Sequence, residues 1–558
     1  MSPEQGLREL SDSICSAQVR AISDIQGSEN RSPLTGSSVL TRGVVTRVME
    51  DSGVFFEQAL ADLDPATSDG LFAAEAALGG LLKPGDEVVF RGRVSEIGND
   101  RASLTALEPV SGYRVCASNH PLPDHVTGLP LTDNEQEALE GMRISIQQQL
   151  VLVDVWGLLT GNQLGIAKGD VLWTPTEIHP PGPAAGQLAL DNRQRALHLS
   201  AVKPLVPSTS RAGDHVFQVG GILAQDEFGY HLVLASYIAD RSEQKIPILP
   251  EPAGLRLAGF NLHNYFNGDG KGGGFPTSRG ASSSAEFQQQ TSRLLAAINE
   301  ISPDILALSE LENDGYGPHS AVAGLVEHLN QGLDTAPWRF SQAEQAMPEE
   351  AAIAVGIVYR NDRVRAVGPA HTLTGPSFSG LSRQPLAQLF KVLDGGQQIL
   401  VSANHLKSKG SCPDDGPNAN QGDGQGCWNP VRTESALAID QWLKALGKQL
   451  DSNAILILGD FNAYRQEQPI HAFREAGWAE LVESKQTKGR PFSFIYRGQR
   501  GSLDYAFASQ ALLPWVANAR IWNINSMYPP GLDAGYKGSS DHDPVIVDLE
   551  FSSAAANP

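Results

Sequence analysis

The sequence predicts a multidomain chain in which N-terminal β-rich domains precede a larger α/β domain. Three observations carry this. The chain has 558 residues, more than one hydrophobic core supports, since domains run to roughly 50–200 residues. Its first half consists of short apolar runs punctuated by Gly and Asp. Its second half alternates buried apolar runs with long amphipathic stretches, and a proline-rich segment separates the two textures.

From Ser38 to Leu107 the runs VLTRGVVTRVMED, GVFFEQA, DEVVFRGRVSEIG and ASLTALEPV read as strands. Together with one helix-like insert, FAAEAALGGLL, they have the size and rhythm of an OB-like β barrel over residues 1–110. Phe55 and Phe56 are candidate base-stacking platforms there, with core positions as the alternative reading. A second β-rich domain is expected over 111–245, because GGILAQDEFGYHLVLA echoes the strand–turn–strand of GVVTRVMEDSGVFFEQA. Its centre, WTPTEIHPPGPAAG, is proline-rich and irregular. The segment IPILPEPAG, 246–254, reads as a linker.

After it, RLAGFNLHNYF, PDILALSELE, AAIAVGIVYR, QQILVSANHLKS, NAILILGDFNA and SLDYAFAS read as strands. SAEFQQQTSRLLAAINEIS and RTESALAIDQWLKALGKQL read as helices. Strands that are apolar throughout indicate a sheet covered on both faces, here over 255–552.

No stretch approaches the roughly 20 apolar residues needed to span a bilayer. The net charge of −21 is the wrong sign for holding nucleic acid on a broad basic surface. A bound divalent cation would supply local positive charge. Of the four cysteines, Cys412 and Cys427 bracket the loop PDDGPNANQGDGQG, and a bridge closing it would contribute about 3 kcal/mol. Cys15 would then pair with Cys116; free buried thiols are the alternative. Disulfides place a protein outside the cytoplasm, so the chain is expected to be secreted or periplasmic. MSPEQGLREL carries no signal sequence, so either one has been removed and a Met added, or the chain is not secreted.

The polar residues of the second half fall at strand ends. Asn261 follows RLAGF, Glu310 follows DILALS, His405 follows ILVSAN, and Asp460 with Asn462 follows AILILG. Asp504 follows GSL, while Asp541 and His542 precede PVIVDLEF. A buried, unpaired carboxylate costs several kcal/mol, so these groups are expected to converge at one sheet edge where a metal or phosphate offsets the burial.

The ordered set of FN, a strand-end Glu, NHLKS, GDFNA, LDY and SSDHDPV resembles the endonuclease/exonuclease/phosphatase superfamily over roughly Leu255 to Phe551. DNase I, exonuclease III-type repair nucleases and sphingomyelinases belong to it. NYFNGDGKGGGFPTSRG, SELENDG, HLKSKGSC and GDGQGCWN further resemble large secreted bacterial nucleases of the ExeM type, in which an OB-fold domain precedes the catalytic one. The resemblance implies a DNase I-like four-layer sandwich and a Mg²⁺ or Mn²⁺ cofactor. Glu310 would be the principal metal ligand, with Asn261, Asp460 and Asp541 as further candidates. Its oxygens are of the hard type that such ions favour. His542 would be the general base, oriented by Asp504. His405 would donate to a phosphate oxygen or to the leaving group, and Asn462 to the developing charge.

Arg383 resembles a position facing phosphate, and Lys407 and Lys409 are candidates to neutralise substrate, each against the reading of an ordinary surface charge. Glu312 is an acid placed to support the metal ligands or a solvated loop residue. The glycine-rich loop NGDGKGGGFPTSRG matches no P-loop and reads as substrate-facing or metal-binding. Asp414, Asp415 and Asp423 could hold a structural Ca²⁺, or form a merely acidic loop. The expected activity is a metal-dependent endonuclease on DNA, with RNA as a second candidate, leaving 5′-phosphate ends. No membrane insertion and no obligate protein partner are expected. The rivals are the same chemistry on sphingomyelin or an inositol phosphate, and an inactive binding scaffold. The scaffold would lack Glu310, His405, Asp460 or His542, and all are present.

Overall fold

Apolar alternation in the strands Ser38–Met49, Gly53–Glu57, Gly70–Ala73, Glu87–Asn99 and Ala102–Ala117 buries Val45, Val54, Phe56, Leu71, Phe90 and Val110 in one core. In this computed structural model, residues 7–551 are described, except 63, 100–101, 226–230, 239–240, 243–247, 253, 344–350, 486–488 and 533–534. The five strands close into a barrel. The first pairs with the second and the fourth, the second with the third, and the fifth with the fourth and, in parallel, with the third. Closure leaves no free edge. The expected helix-like insert FAAEAALGGLL instead gives its first two residues to the third strand and forms a 3-10 turn at Ala76–Gly80. Leu71 and Phe72 pair across to Phe56 and Phe55, and that pairing outweighs the local helical pattern. Phe55 and Phe56 are both buried, so neither is a stacking platform.

The chain divides into two units, Met1–Val171 with Leu190–Gln244, and Leu172–Ala189 with Lys245–Pro558. The first unit also contains a nine-stranded sheet around Ile144, Leu152, Ile166, Leu199, Leu223 and Val233. Of the expected linker, residues 246, 247 and 253 lie outside the described residues.

The second unit is built on two six-stranded sheets. One runs Trp338–Phe340, Ile353–Arg360, Ile305–Glu312, Leu255–Tyr265, Val545–Leu549, Val516–Ile521. The other runs Val364–Thr372, Leu386–Val392, Gln398–His405, Ile455–Asp460, Asp504–Ala508, Ala479–Glu480. Leu257, Ile305, Ile357 and Val547 meet Leu386, Val401, Leu456 and Ala506 between them. On the outer face of the first sheet lies the helix Ser284–Ile301, capped by Ser283, with Leu294, Ala297, Ile298 and Ile301 on its buried stripe. On the outer face of the second lie Asn429–Gln449 and Gln468–Glu475, through Ile439, Leu443, Ile470 and Phe473. The result is a four-layer α/β sandwich, and because both faces of each sheet are covered, its strands are apolar throughout.

Both disulfides are formed, Cys15–Cys116 and Cys412–Cys427, with Cα–Cα separations of 5.6 and 5.5 Å. The second closes a loop with little core of its own, so Cys412→Ser/Cys427→Ser should lower the stability of this unit by about 3 kcal/mol. The check is the urea midpoint of the second unit's transition. An unchanged midpoint would show that the loop does not depend on its bridge.

Candidate active site

Strand pairing collects the polar residues. In the second sheet His405 lies opposite Asp460 in parallel register, and Asp460 lies opposite Asp504 in antiparallel register. Asp504 therefore opens its strand rather than ending it, and reaches the same edge because that strand runs backwards. In the first sheet Leu255–Tyr265 runs parallel to Ile305–Glu312 and antiparallel to Val545–Leu549, which brings Asn261, Glu310, Asp541 and His542 to the corresponding edge.

Asp460 is the hub. Its Oδ1 accepts from the Asn462 backbone N–H at 2.8 Å, and its Oδ2 accepts from Asn261 Nδ2 at 3.1 Å. His405 Nε2 and His542 Nε2 approach the same Oδ2 to 3.5 and 3.9 Å. The other ring nitrogen of His542, Nδ1, donates to Asp504 Oδ2 at 2.7 Å. Ser493 Oγ also donates to that oxygen at 2.7 Å, while accepting from the Leu503 and Asp504 backbone N–H groups at 3.0 Å each. The Phe494 ring lies 4.6 Å from the His542 ring, centroid to centroid. In the GDFN motif Gly459 has φ 144°, and a side chain there would strike the Asn404 carbonyl oxygen.

Glu310 sits at a β-bulge between Leu308 and Leu311, with φ 60°, a left-handed conformation that costs a non-glycine residue roughly 1–2 kcal/mol. Its Oε2 accepts from the Asn264 backbone N–H at 3.0 Å. Asn462 is likewise left-handed, φ 48°, and its Nδ2 donates to the Leu406 carbonyl at 3.1 Å.

Burial disfavours charge on His542, but the surrounding Asp504, Asp460 and Asp541 outweigh it and hold the imidazole well above its ordinary pKa. Burial pushes Asp460 up to about 7. His405 is driven well below its ordinary value by burial, then by Arg383 and His542, and is therefore neutral. Its Nδ1 is buried with no hydrogen-bond partner.

Arg383 is held by its backbone, whose N–H donates to the His405 carbonyl at 2.9 Å, and its charge acts on Glu310 and Asp460. The Lys407 ammonium turns to its own loop, donating to the Ser408 and Gly410 carbonyls at 3.2 Å each and lying 5.0 Å from the Trp428 ring. Burial and neighbouring arginines push it down to about 8. Lys409 is engaged by Glu467 at 2.6 Å and so does not serve as a phosphate partner. Glu312 accepts from the Asn267 backbone N–H at 3.0 Å, and burial pushes it up to about 7. Arg279, from the glycine-rich loop, bears electrostatically on His405, Arg383 and Lys407. Ser493 belongs to no motif, and only its hydrogen bonds reveal it; Asn264 opens the NYFNGDG motif, but its contact with Glu310 shows only in the hydrogen bonds.

The residues fit a hard divalent cation. Asp460, Asp504 and His542 present ligand atoms within 4.8 Å of one another. Asp504 and His542 already bond each other, which leaves the carboxylates of Asp460, Glu310 and Asp541 as the oxygen donors such an ion takes. Without a counter-charge, a buried Asp460 would carry an unfavourable desolvation cost.

A double-sheet sandwich that gathers carboxylates, an Asp–His pair and arginines at one edge defines a phosphoester hydrolase. The chain belongs to the endonuclease/exonuclease/phosphatase family, whose model matches residues 260–542. Similar solved structures include an endonuclease/exonuclease/phosphatase from Bacteroides vulgatus, 15% identical, covering 53% of this chain and 98% of that one, with a TM-score of 0.37. The human Nocturnin catalytic domain with bound sulfate is 16% identical over 55% and 97% of the two chains, TM-score 0.36. A mannosyl-6-phosphatase from Bacteroides thetaiotaomicron is 17% identical over 53% and 100%, TM-score 0.36. No curated protein sequence matches this chain. No helix among the described residues is long and apolar enough to cross a membrane.

Proposed function

We propose that the protein is a secreted, metal-dependent endonuclease that cleaves DNA phosphodiesters and leaves 5′-phosphate ends, in the manner of the large ExeM-type nucleases. The observation that carries this is His542, whose Nδ1 is held by Asp504 at 2.7 Å while Nε2 faces Asp460. That geometry fixes the tautomer and aims Nε2 at the edge where Glu310, Arg383 and His405 also converge. In its neutral form His542 takes the proton of the attacking water, and Asp504 stabilises the resulting imidazolium. Asn462 and Asn261 hold the Asp460 carboxylate in place through their N–H groups. Arg383 and Arg279 supply positive charge for the phosphate, and neutral His405 serves as a hydrogen-bonding partner. Mg²⁺ or Mn²⁺, held by Glu310, Asp460, Asp541 and Asn261, would act as Lewis acid on the phosphate.

Two disulfides favour an oxidising compartment. The strand order of the N-terminal barrel supports an OB-type assignment, and with it a role in holding substrate. The test digests supercoiled plasmid and sphingomyelin in parallel, with Mg²⁺ and with EDTA. Plasmid nicking that EDTA abolishes is the expected result. Sphingomyelin cleavage without nicking would move the enzyme to a lipid substrate, and nicking that survives EDTA would remove the metal from the mechanism.

A further inference from the structure

The hairpin that leads away from the Asp–His pair combines aromatic rings and arginines in a way that catalysis does not use. Its strands, Phe494–Tyr496 and Gln499–Gly501, are joined by Arg497 and Gly498, with φ 50° and 78°. Two positive-φ residues make the tight turn whose twist matches an antiparallel pair. The base of the hairpin is anchored. A side chain at Gly501 would run into the Tyr464 ring, and Leu172–Trp173 pairs along its outer strand. Phe494 covers His542, so the hairpin starts at the catalytic imidazole. Tyr496, two residues on and about 6.6 Å further out along the same strand face, is 56% exposed.

Between Arg490 and Leu503 the sequence holds three arginines and no acid, in a chain of net charge −21. Each arginine lies over a ring: Arg490 is 5.8 Å from Trp173, Arg500 is 4.4 Å from Phe492, and Arg497 is 5.5 Å from Tyr496. An exposed ring with one guanidinium over it, on a segment that carries two further arginines, suits single-stranded nucleic acid, with bases stacking on the ring while cations meet the backbone.

We infer that this hairpin is a binding subsite for an unpaired DNA segment beside the scissile phosphate, with one base stacked on Tyr496. The inference rests on the nuclease reading for its substrate. It implies that frayed, gapped or single-stranded DNA is preferred over intact duplex.

The test measures fluorescence anisotropy of a labelled oligothymidylate and of a blunt duplex, in EDTA and in the His542→Ala background, so that nothing is cleaved. Tyr496→Ala is expected to raise the oligothymidylate Kd at least about fivefold, while Tyr496→Phe retains binding and the duplex Kd is unmoved. No oligothymidylate binding at all, a Kd insensitive to Tyr496→Ala, or an equal loss on the duplex would each overturn the inference. If the wild type fails to nick plasmid while binding still depends on Tyr496, the catalytic reading falls and the hairpin assignment stands.

Discussion

His542→Ala is expected to reduce plasmid nicking at least about 10⁴-fold, and Asp504→Asn nearly as far. The reason is geometric. His542 is the imidazole whose Nδ1 is fixed by a carboxylate, and that carboxylate is itself set by Ser493 Oγ, which two backbone N–H groups hold in turn. An asparagine at 504 keeps the shape but can present its amide N–H to Nδ1, which turns the tautomer and leaves Nε2 protonated and unable to accept a proton. General acid–base catalysis contributes about 10²–10⁴-fold, and loss of the charge stabilisation adds to it. Initial nicking rates at saturating Mg²⁺ decide the matter. A loss of under tenfold in His542→Ala would mean that another group takes the proton.

The largest expected effect on stability lies away from the chemistry, at Glu177. Its carboxylate, fully buried, accepts from Arg465 Nε at 2.9 Å and from the Ser502 backbone N–H at 3.0 Å. Arg465 is buried as well and also meets Glu480. Burial works against its charge, but Glu480 and Glu177 outweigh that and keep the guanidinium ionised. Glu177→Ala would leave Glu480 as the remaining buried counter-charge, beside the half-exposed Glu483, and the Ser502 N–H without its acceptor. Removing one partner of a buried pair costs about 3–5 kcal/mol. The expected result is a matching fall in the second unit's unfolding free energy, read from the urea midpoint. Glu177→Ala together with Arg465→Met should recover part of it, because the uncompensated charge is gone. A single variant as stable as wild type would show that Glu480 alone satisfies the guanidinium.

Much of the catalytic unit is legible in the sequence because its strands are buried on both faces. The apolar runs ending in Asn261, His405 and Asp460 mark both the strands and the site. The helix Ser284–Ile301 shows its buried stripe in the spacing of Leu294, Ala297, Ile298 and Ile301. The barrel is less legible. Phe72 and Ala73 read locally as the start of a helix, and only pairing with Phe55 and Val54 makes them a strand. Lys409, near His405, reads as a phosphate partner or an ordinary surface charge, yet Glu467, far along the chain, claims it.

By itself, then, the sequence determined the residue types available to the site, the periodicity of most elements and the family to which the chain belongs. These properties reside in contiguous segments, where side-chain alternation and motif spacing act locally. The tertiary structure alone decided that Asp504 opens its strand yet stands beside Asp460, because an antiparallel partner reverses direction. It also decided that Ser493 sets the Asp504 carboxylate, that Leu172–Ala189 packs in the catalytic unit, and that an arginine-and-aromatic hairpin begins at His542. Each of these depends on which distant segments pair and in what register, and hydrogen bonds and burial across such pairings leave no periodic mark on either segment.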